Sequence, residues 1–368
     1  MSPKLIKYSA YGSLILFSPL IFLTLGIYFN WFGIYDGAGE NVQEARSYIV
    51  SDKGIDTSID ESVKQILFGD LHVHSTLSLD AFLGNLPIVQ GEGVHPVSDA
   101  CNFARFCSNL DFFAITDHAE WLTSREWNDT ISSIQNCAST SSDFDNPPII
   151  PLLGWEWTQK SINKSNHYGH KNVILRSIEN DAIPLRPIGA EGKFFESLLR
   201  IPISSMLGAS LYDFKNRQNY FNFRHRKLIT ENLNRCSSDK PVRDLPRDCI
   251  ERAITPEVLF NKLDDWGYDS MVIPHGTAWG NTAPPLAAWD TQLNKKNHNP
   301  DYQKLIELYS GHGNTEEYRS WRSLNTAKDD ILSCPQPSPG FIPECYQAGE
   351  IIRERCRVSA GSLEECDK

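Results

Sequence analysis

The stretch "FGDLHVHSTLSLDAF", residues 68–82, places several polar side chains directly after a short apolar strand. His72 and His74 stand two positions apart, and residues i and i+2 of a strand point to the same side. The two imidazoles can therefore be aimed at one point, with Asp70 and Asp80 nearby in the sequence. A His-x-His pair on a solvated edge strand has the same pattern, so this motif needs support from the rest of the chain.

Composition favours one large folded domain. The chain has 368 residues, of which 40% are hydrophobic, 11% aromatic and 22% charged, and these fractions are typical of a folded protein with a substantial core. Barrels of alternating strands and helices routinely exceed ~200 residues as one unit. The formal net charge of −11 argues against a nucleic-acid partner, because such proteins normally present a basic face.

The N-terminus contains a long uncharged segment. Residues 11–32 read "YGSLILFSPLIFLTLGIYFNWF", and about 20 apolar residues suffice to cross a bilayer. Lysines precede this segment and acidic residues follow it, so the positive-inside rule predicts a cytoplasmic N-terminus. We expect residues 1–35 to be an uncleaved signal anchor or transmembrane helix, because the run is longer than a usual signal-peptide core. Residues 36–65 read as a polar linker to an extracytoplasmic domain, periplasmic or at the cell surface, over residues 66–368.

All nine cysteines follow the apolar segment, a distribution that predicts disulfides in an oxidising compartment. Cys101 and Cys107 lie six residues apart on a predicted helix and face different directions, so each should pair elsewhere; Cys137 is a near candidate. Because the total is odd, at least one cysteine lacks a partner within the chain.

Helical and strand patterns alternate after the first strand. Ser98 can cap a helix through residues 99–110, and the buried strand in "LDFFAITDHAE" ends in Asp117, His118 and Glu120. Such a helix-then-strand order is typical of an α/β protein.

The alternation continues with a capping box in "TSRE", residues 123–126, which predicts a helix start. The strand "IIPLLGWEW" places Glu156 just past its end, and "GHKNVIL" has His170 at its entrance with His167 three residues earlier.

Residues 177–254 interrupt this rhythm and read as a helical insertion rich in basic and aromatic residues. The plain interpretation is a solvated helical face, because His225 has no acidic or histidine neighbour in sequence. Thr255 and Pro256 then begin a helix that ends near Gly267. The predicted strand "SMVIPHG" has His275 near its end, and "KLIELYSGHGNTEE" predicts a strand followed by His312.

Each of these strand-like segments carries a histidine or a glutamate near one end. In α/β barrels the active site is built at the C-terminal ends of the strands, so we expect these side chains to converge. Imidazole and carboxylate together suit zinc, manganese or iron, and a carboxylate such as Glu156 can bridge two ions. Two such ions can activate a water and stabilise the leaving oxygen of a phosphoester.

Six motifs in this order resemble the polymerase-and-histidinol-phosphatase (PHP) superfamily, most closely its domain-of-unknown-function branch numbered 3604: "GDLHVHSTLSLD", "AITDHAEW", "GWEW", "GHKNVI", "VIPHG" and "ELYSGHGNTE". The resemblance extends from about Leu67 to the end of the chain. It implies a distorted seven-stranded β/α barrel that holds two or three divalent ions.

The resemblance also implies a ligand set. His72, His74 and Glu156 would hold a first ion, and Glu156, His170 and His275 a second. Asp80 and His118 would hold part of a third. His170 is preferred to His167 because it directly precedes its strand. Asp70, Asp117 and Glu120 would accept the free ring N–H of a ligating histidine.

The sequence departs from the superfamily pattern at its end. Members supply their final ligands from an Asp-x-His on a late strand, and no Asp-x-His follows His312 here. The closing stretch "CYQAGEIIRERCRVSAGSLEECDK" corresponds to an interior helix of the resembling branch. We therefore expect a barrel that is incomplete at a truncated C-terminus; the alternative is true divergence with an open site.

These features predict a metal-dependent hydrolase of a small-molecule phosphoester or related ester, using a metal-activated water. His312 and His167 are the candidates for contacting the substrate or protonating the leaving group. The alternative is a noncatalytic cell-surface binding protein that uses the barrel as a metal-stabilised scaffold.

Overall fold

The structure is a computed structural model, and it describes residues 18–26, 31, 66–140, 149–191, 202–238, 240–277, 283–284, 287 and 289–310. Toward the C-terminus it describes residues 313–314, 325–326, 332–338, 343–359 and 362–367. His312 and the predicted linker at residues 36–65 lie outside these ranges.

The described strands and helices follow the mixed α/β order that the sequence predicts. The strands are β1 Gly69–Val73, β2 Phe112–Ile115, β3 Ile150–Thr158, β4 His170–Leu175, β5 Ile188–Ala190, β6 Glu251–Ala253, β7 Ser270–His275, β8 Tyr309–Ser310, β9 Gly313–Asn314, β10 Asn325–Thr326 and β11 Leu332–Ser333. The helices are α1 over residues 18–26, α2 Leu79–Gly84, α3 Val97–Phe106, α4 Ser124–Ala138, α5 Ile203–Tyr212, α6 Arg217–Glu231, α7 Pro256–Trp266, α8 Asp290–Leu293, α9 Glu344–Val358 and α10 Leu363–Cys366.

The main sheet is a curled half-barrel with the strand order β1-β2-β3-β4-β7. Strands β1, β2 and β3 are parallel, whereas β4 is antiparallel to both β3 and β7. Consequently the entrance of β4 lies at the same edge of the sheet as the C-terminal ends of its neighbours. This edge collects the predicted site residues.

The two faces of the sheet bury different cores. The outer face carries the larger core, in which Phe113, Leu153 and Trp155 lie with apolar side chains of the surrounding helices. The inner face carries a small cluster of Ala114, Ile174 and Ile273. Because side chains alternate along a strand, the inner positions continue from this cluster to the site residues at the C-terminal edge.

The structure confirms the α/β class, and the main sheet has five strands within the described residues. The predicted strand in "KLIELYS" is much shorter, since only Tyr309–Ser310 is a strand, paired with Gly313–Asn314. Residues 302–307 instead run along β7 as irregular backbone. Val272 N donates to Tyr302 O at 3.0 Å, and Glu307 N donates to Pro274 O at 3.2 Å.

Local start and stop signals are largely confirmed. Thr123 and Glu126 form the predicted capping box. Thr255 caps α7 by accepting from Val258 N at 3.3 Å, and Gly267 ends this helix with φ 67°. By contrast, α3 begins one residue before Ser98, with Pro96 at the N-cap.

The predicted helical insertion at residues 177–254 contains more than helices. Its described part holds α5 and α6, and also the parallel pair of β5 with β6.

Most of the predicted membrane-spanning segment at residues 11–32 lies outside the described residues, apart from α1 and Trp31. Within the described part of the chain, every helix is too short or too polar to cross a bilayer.

Disulfides form as the cysteine distribution predicts. Cys101 pairs with Cys137, which is the partner suggested by the sequence. The other three bonds join Cys236 to Cys249, Cys334 to Cys345 and Cys356 to Cys366. Cys107 is exposed and free, so it accounts for the odd cysteine.

Candidate metal centre

Glu156 lies at the centre of the candidate site. Strand β3 extends to Thr158, so Glu156 is inside the strand and not beyond its end as the sequence suggested. Its backbone N–H donates to Asp117 O at 3.0 Å, and its side chain is fully buried. Ring nitrogens of five histidines surround the carboxylate: His170 at 2.7 Å, His275 at 3.4 Å, His74 at 3.0 Å, His72 at 3.4 Å and His118 at 3.4 Å.

An irregularity in β1 aims the first two histidines at Glu156. Asp70 pairs with Phe113 and Val73 pairs with Ile115. Between these two pairs β1 advances by three residues and β2 by two, so β1 contains one extra residue. Such a β-bulge re-aims side chains and is common beside active sites. It allows His72 and His74 to point toward the inner face, where Glu156 lies.

His74 is oriented by a hydroxyl and a carboxylate. Its Nδ1 lies 2.8 Å from Ser78 Oγ, and Ser78 Oγ donates to Asp117 Oδ1 at 2.8 Å. Because the single Ser78 hydroxyl proton goes to Asp117, we assign the proton of His74 to Nδ1, which donates to Ser78. The lone pair of Nε2 then faces Glu156. Asp117 thus acts on this histidine through Ser78.

His72 presents a second nitrogen to the same place. Its Nδ1 lies 2.8 Å from Glu307 Oε2, and its Nε2 lies 3.0 Å from His74 Nε2. Burial lowers the pKa of His72, but the neighbouring carboxylates of Glu156 and Glu307 outweigh it and raise the pKa to about 10. Two ring nitrogens and a carboxylate this close favour a positive charge between them, either a proton or a cation.

The buried oxygen Glu156 Oε2 gives the clearest test of whether a cation fits. It accepts no hydrogen bond from the described residues, although ring nitrogens of His72, His74 and His118 lie 3.0–3.4 Å away. Buried carboxylate oxygens are normally satisfied by a donor or a metal ion. Nitrogen and oxygen ligands in this arrangement suit a divalent transition metal.

His170 and His275 face the other carboxylate oxygen. They are partners in the β4–β7 register, and both are buried. Gly169 precedes His170 with φ 64°, and a Cβ there would lie 2.8 Å from His275 O. Only glycine adopts this backbone conformation readily. Burial and the charge of His72 lower the pKa of His275 and outweigh the opposing effect of Glu156 and Glu307, which favours the neutral imidazole that binds metals.

Three sets of described residues bring their ligand atoms within 4.8 Å of one another: His72, His74 and Glu156; Glu156, His170 and His275; and His72, His275 and Glu307. The first two are the sets expected from the resemblance, with Glu156 shared between them. These two sets contain five of the seven predicted ligands.

Asp80 and His118, the other two predicted ligands, contact each other beside these sets. His118 Nε2 lies 3.0 Å from Asp80 Oδ2, and His118 Nδ1 is bonded to Thr158 Oγ1. Burial lowers the pKa of His118, but the charges of Asp80 and Glu156 raise it to about 10. The charge and hydrogen bond of His118 hold the pKa of Asp80 well below its usual range, against burial.

Sequence reasoning missed Glu307. Its carboxylate lies 2.8 Å from His72 Nδ1 and 3.8 Å from His275 Nδ1. It precedes Leu308 and Tyr309 in the "KLIELYS" segment. An acidic residue inside this apolar pattern was the one sequence feature that could have indicated a site residue. Its position depends on residues 302–307 running along β7, which the local pattern does not specify.

The remaining predicted residues contact backbone groups. His167 is buried; its Nε2 lies 3.2 Å from Gly276 O, and its Nδ1 accepts from Ser161 N at 3.4 Å. Burial lowers the pKa of His167. Asp70 accepts from the backbone N–H of His72 at 2.9 Å. Glu120 accepts from the backbone of Thr158 at 3.0 Å. His312 is outside the described residues.

A cavity of about 650 Å³ adjoins His72 and His74. Its lining combines Phe103 and Phe106 of α3 with polar groups that include Asp99. This volume is in the range of small-molecule pockets.

The fold and this site define the class: an α/β protein with a buried histidine–glutamate cluster at the C-terminal edge of a half-barrel sheet. Residues 61–146 match the family model described as "Protein of unknown function (DUF3604)", which supports assigning this part of the chain to that family. The match includes His72, His74, Asp80 and His118 and covers less than half of the chain. No curated protein and no solved structure gave a match.

Proposed function

We propose that this protein is a metal-dependent hydrolase of phosphoesters or related esters and a member of the PHP superfamily. The observation that carries the proposal is the buried Glu156 carboxylate, whose Oε2 accepts no hydrogen bond from the described residues although three histidine rings surround it. A structural glutamate at such a depth would ordinarily be paired with donors.

The proposed enzyme would hold two ions in these sets, with Glu156 as the shared ligand. His72 and His74 would complete the first set, and His170 and His275 the second. Glu307 is an additional ligand candidate, and Asp80 with His118 would contribute to a third ion. Zinc, manganese and iron suit this mixture of imidazole and carboxylate.

Divalent ions bound in these sets would polarise the ester and supply the nucleophile from water at neutral pH. The chain itself fixes the geometry: Ser78 and Asp117 hold His74 with its Nε2 toward Glu156. Glu307 holds His72 from the opposite side of the ring. In this proposal His312 contacts the substrate or protonates the leaving group, and His167 positions the backbone that follows His275.

The cavity beside His72 and His74 offers space for a small-molecule ester. We further propose that the apolar residues 11–32 attach the protein to a membrane and that the domain lies outside the cytoplasm. The disulfides support an oxidising compartment.

The test is hydrolysis by the full chain loaded with manganese, zinc or iron, against phosphomonoesters, phosphodiesters and carboxylic esters. We expect activity that chelation abolishes and that the double change His72→Ala, His74→Ala reduces by more than ~100-fold. A matched control is His298→Ala, because His298 lies in the loop after α8 and bonds Gln303 at 3.1 Å. Activity that survives both chelation and the double change would show that the proposal is wrong.

A noncatalytic binding protein is the second candidate. It is favoured by the Asp80–His118 pair, which has no third ligand in the sets found among the described residues. Elemental analysis of the purified chain separates the two candidates, since a single tightly held ion favours the scaffold and two or more favour the enzyme.

A further inference from the structure

The α5–α6 hairpin exposes an aromatic tip. Helix α5 ends at Tyr212, a short 3₁₀ helix spans Phe214–Asn216, and α6 begins at Arg217. We call residues 211–217 the hairpin tip. Leu211, Tyr212 and Phe214 are 52%, 87% and 57% exposed. Large apolar side chains clustered in this way commonly mark an interaction surface.

The hairpin also packs against the apolar N-terminal helix. Leu23 of α1 and Phe221 of α6 form a small buried cluster, and Leu207 of α5 packs against it. Other side chains of α1 remain exposed, among them Ile21 and Phe22. The tip and α1 therefore belong to one region of the molecule in which apolar side chains face outward.

Positive charge is concentrated in the same hairpin. Residues 203–231 contain five lysines and arginines and two acidic residues, although the whole chain has a net charge of −11. One of the five, Arg226, is fully buried and paired with Glu126, so Lys215, Arg217, Arg224 and Lys227 carry the positive charge of the hairpin surface. At the tip, Lys215 is exposed and the Arg217 guanidinium lies 4.4 Å from the centre of the Phe214 ring.

The one carboxylate of the tip bonds within the hairpin. Asp213 accepts from Tyr220 Oη at 2.6 Å and from Asn216 Nδ2 at 3.1 Å. It is therefore held by neighbours inside the hairpin, while Lys215 and the aromatic rings stand outward.

We propose that the hairpin tip, together with α1, contacts the surface of a lipid bilayer that carries anionic headgroups. Aromatic side chains with one polar end favour the bilayer interface, and each basic residue near an anionic surface strengthens the attraction. A second copy of the chain is a poorer occupant, because apposing two tips would bring Lys215 and Arg217 of each against the other.

This contact would hold the candidate metal centre at the bilayer surface. Arg226 of α6 donates to Leu77 O at 2.9 Å and to Trp121 O, and it pairs with Glu126 at 3.0 Å. Leu77 directly precedes Ser78, and Trp121 closely follows His118. The inference concerns placement and is independent of the hydrolase chemistry.

The test measures how closely the tip approaches lipid. In full-length chain carrying Cys107→Ser, a fluorophore is attached at Tyr212→Cys or, in a second variant, at Phe214→Cys. The control label is at Ile150→Cys, 40% exposed at the start of β3 and therefore at the opposite edge of the sheet. Vesicles of phosphatidylcholine and phosphatidylglycerol carry a nitroxide on the upper acyl chain.

We expect several-fold stronger quenching at positions 212 and 214 than at position 150. The charge reversals Lys215→Glu and Arg217→Glu should remove most of this quenching, whereas reversing the exposed pair Lys295 and Lys296 should not. Circular dichroism of each variant reports that the fold is retained, independently of metal binding.

Equal quenching at the tip and at position 150 would overturn the proposal, as would quenching unaffected by the tip charge reversals. Self-quenching of the tip label without vesicles, lost on dilution, would assign the tip to a second copy and would also overturn it. Neither result depends on hydrolysis, so failure of this inference is distinguishable from failure of the proposed function.

Discussion

At the scale of single residues, Glu156 organises the site because it offers one oxygen to each pair of histidines. Oε1 lies close to His170 and His275, and Oε2 lies close to His72 and His74. His118 also lies 3.4 Å from Oε2, so one buried acid contacts five rings because its two oxygens face different sides of the cluster. Its neighbours along β3 are tryptophans buried on the outer face.

Ser78 provides a direct test of how His74 is oriented. Ser78→Ala removes the acceptor for His74 Nδ1–H and leaves the ring free to rotate, so we expect metal affinity to fall by about 10–100-fold. The measurement is competition with a metal chelator of known affinity.

The matched control is Ser98→Ala, because Ser98 Oγ is also buried, lies on α3 and has no hydrogen-bond partner among the described residues. Equal loss of affinity in the two variants would contradict an orienting role for Ser78.

The histidine cluster also predicts how stability depends on pH in the metal-free chain. Burial lowers the pKa of His72 and of His118, but neighbouring carboxylates outweigh it and raise both to about 10. Because these values exceed the ~6.5 of an unfolded histidine, the stabilisation is fully present below about pH 6.5 and is lost as pH rises to about 10. We therefore expect the free energy of unfolding to fall over that range.

Denaturant titrations of the metal-free protein at several pH values would measure this slope. His72→Gln should flatten it, since Gln does not titrate. A slope that is unchanged in His72→Gln would show that His72 is not responsible for it.

At the scale of elements, local signals were sufficient for some helices and strands. The capping box at Thr123 and the Thr255–Pro256 helix start depend on contacts within one turn, so the sequence contains them directly. The positions of His118 and His275 at strand ends also predicted that the ligand candidates lie at one edge of the sheet.

Other features depend on pairing between distant segments. The bulge that aims His72 arises from the register of β1 against β2. The antiparallel direction of β4, which brings His170 to the site edge, depends on β3 and β7. Glu307 reaches the site only because its segment lies along β7. No local pattern encodes these long-range choices.

The disulfide between α3 and α4 has a measurable role. Cys101 and Cys137 are separated by 36 residues, so replacing both by alanine should lower the free energy of unfolding by about 2–4 kcal/mol. Urea denaturation would measure the change. Cys107→Ala is the control, because this exposed cysteine is free and its replacement should change stability by less than ~0.5 kcal/mol. Similar effects in both variants would contradict a stabilising cross-link.

At the scale of the whole molecule, the predicted ligands come from widely separated parts of the chain. His72 and His74 are near position 70, Glu156 and His170 are in the middle, and His275 follows the insertion at residues 177–254. An ion held by such a set exists only when the strands are paired, so its binding free energy adds to the free energy of folding.

This linkage gives a prediction for the intact protein. A metal ion that binds the folded state alone should stabilise it by about 2.7 kcal/mol when its free concentration is 100 times the Kd. We therefore expect manganese or zinc to raise the unfolding temperature of the full chain and chelation to lower it, as measured by calorimetry.

The variant His72→Ala, His74→Ala should lose the part of this shift that comes from the first set. The variant His170→Ala, His275→Ala should lose the part from the second. If saturating metal leaves the unfolding temperature unchanged in the unmodified chain, the clustered histidines and Glu156 do not form a metal centre, and their proximity must be explained by protonated rings paired with buried carboxylates.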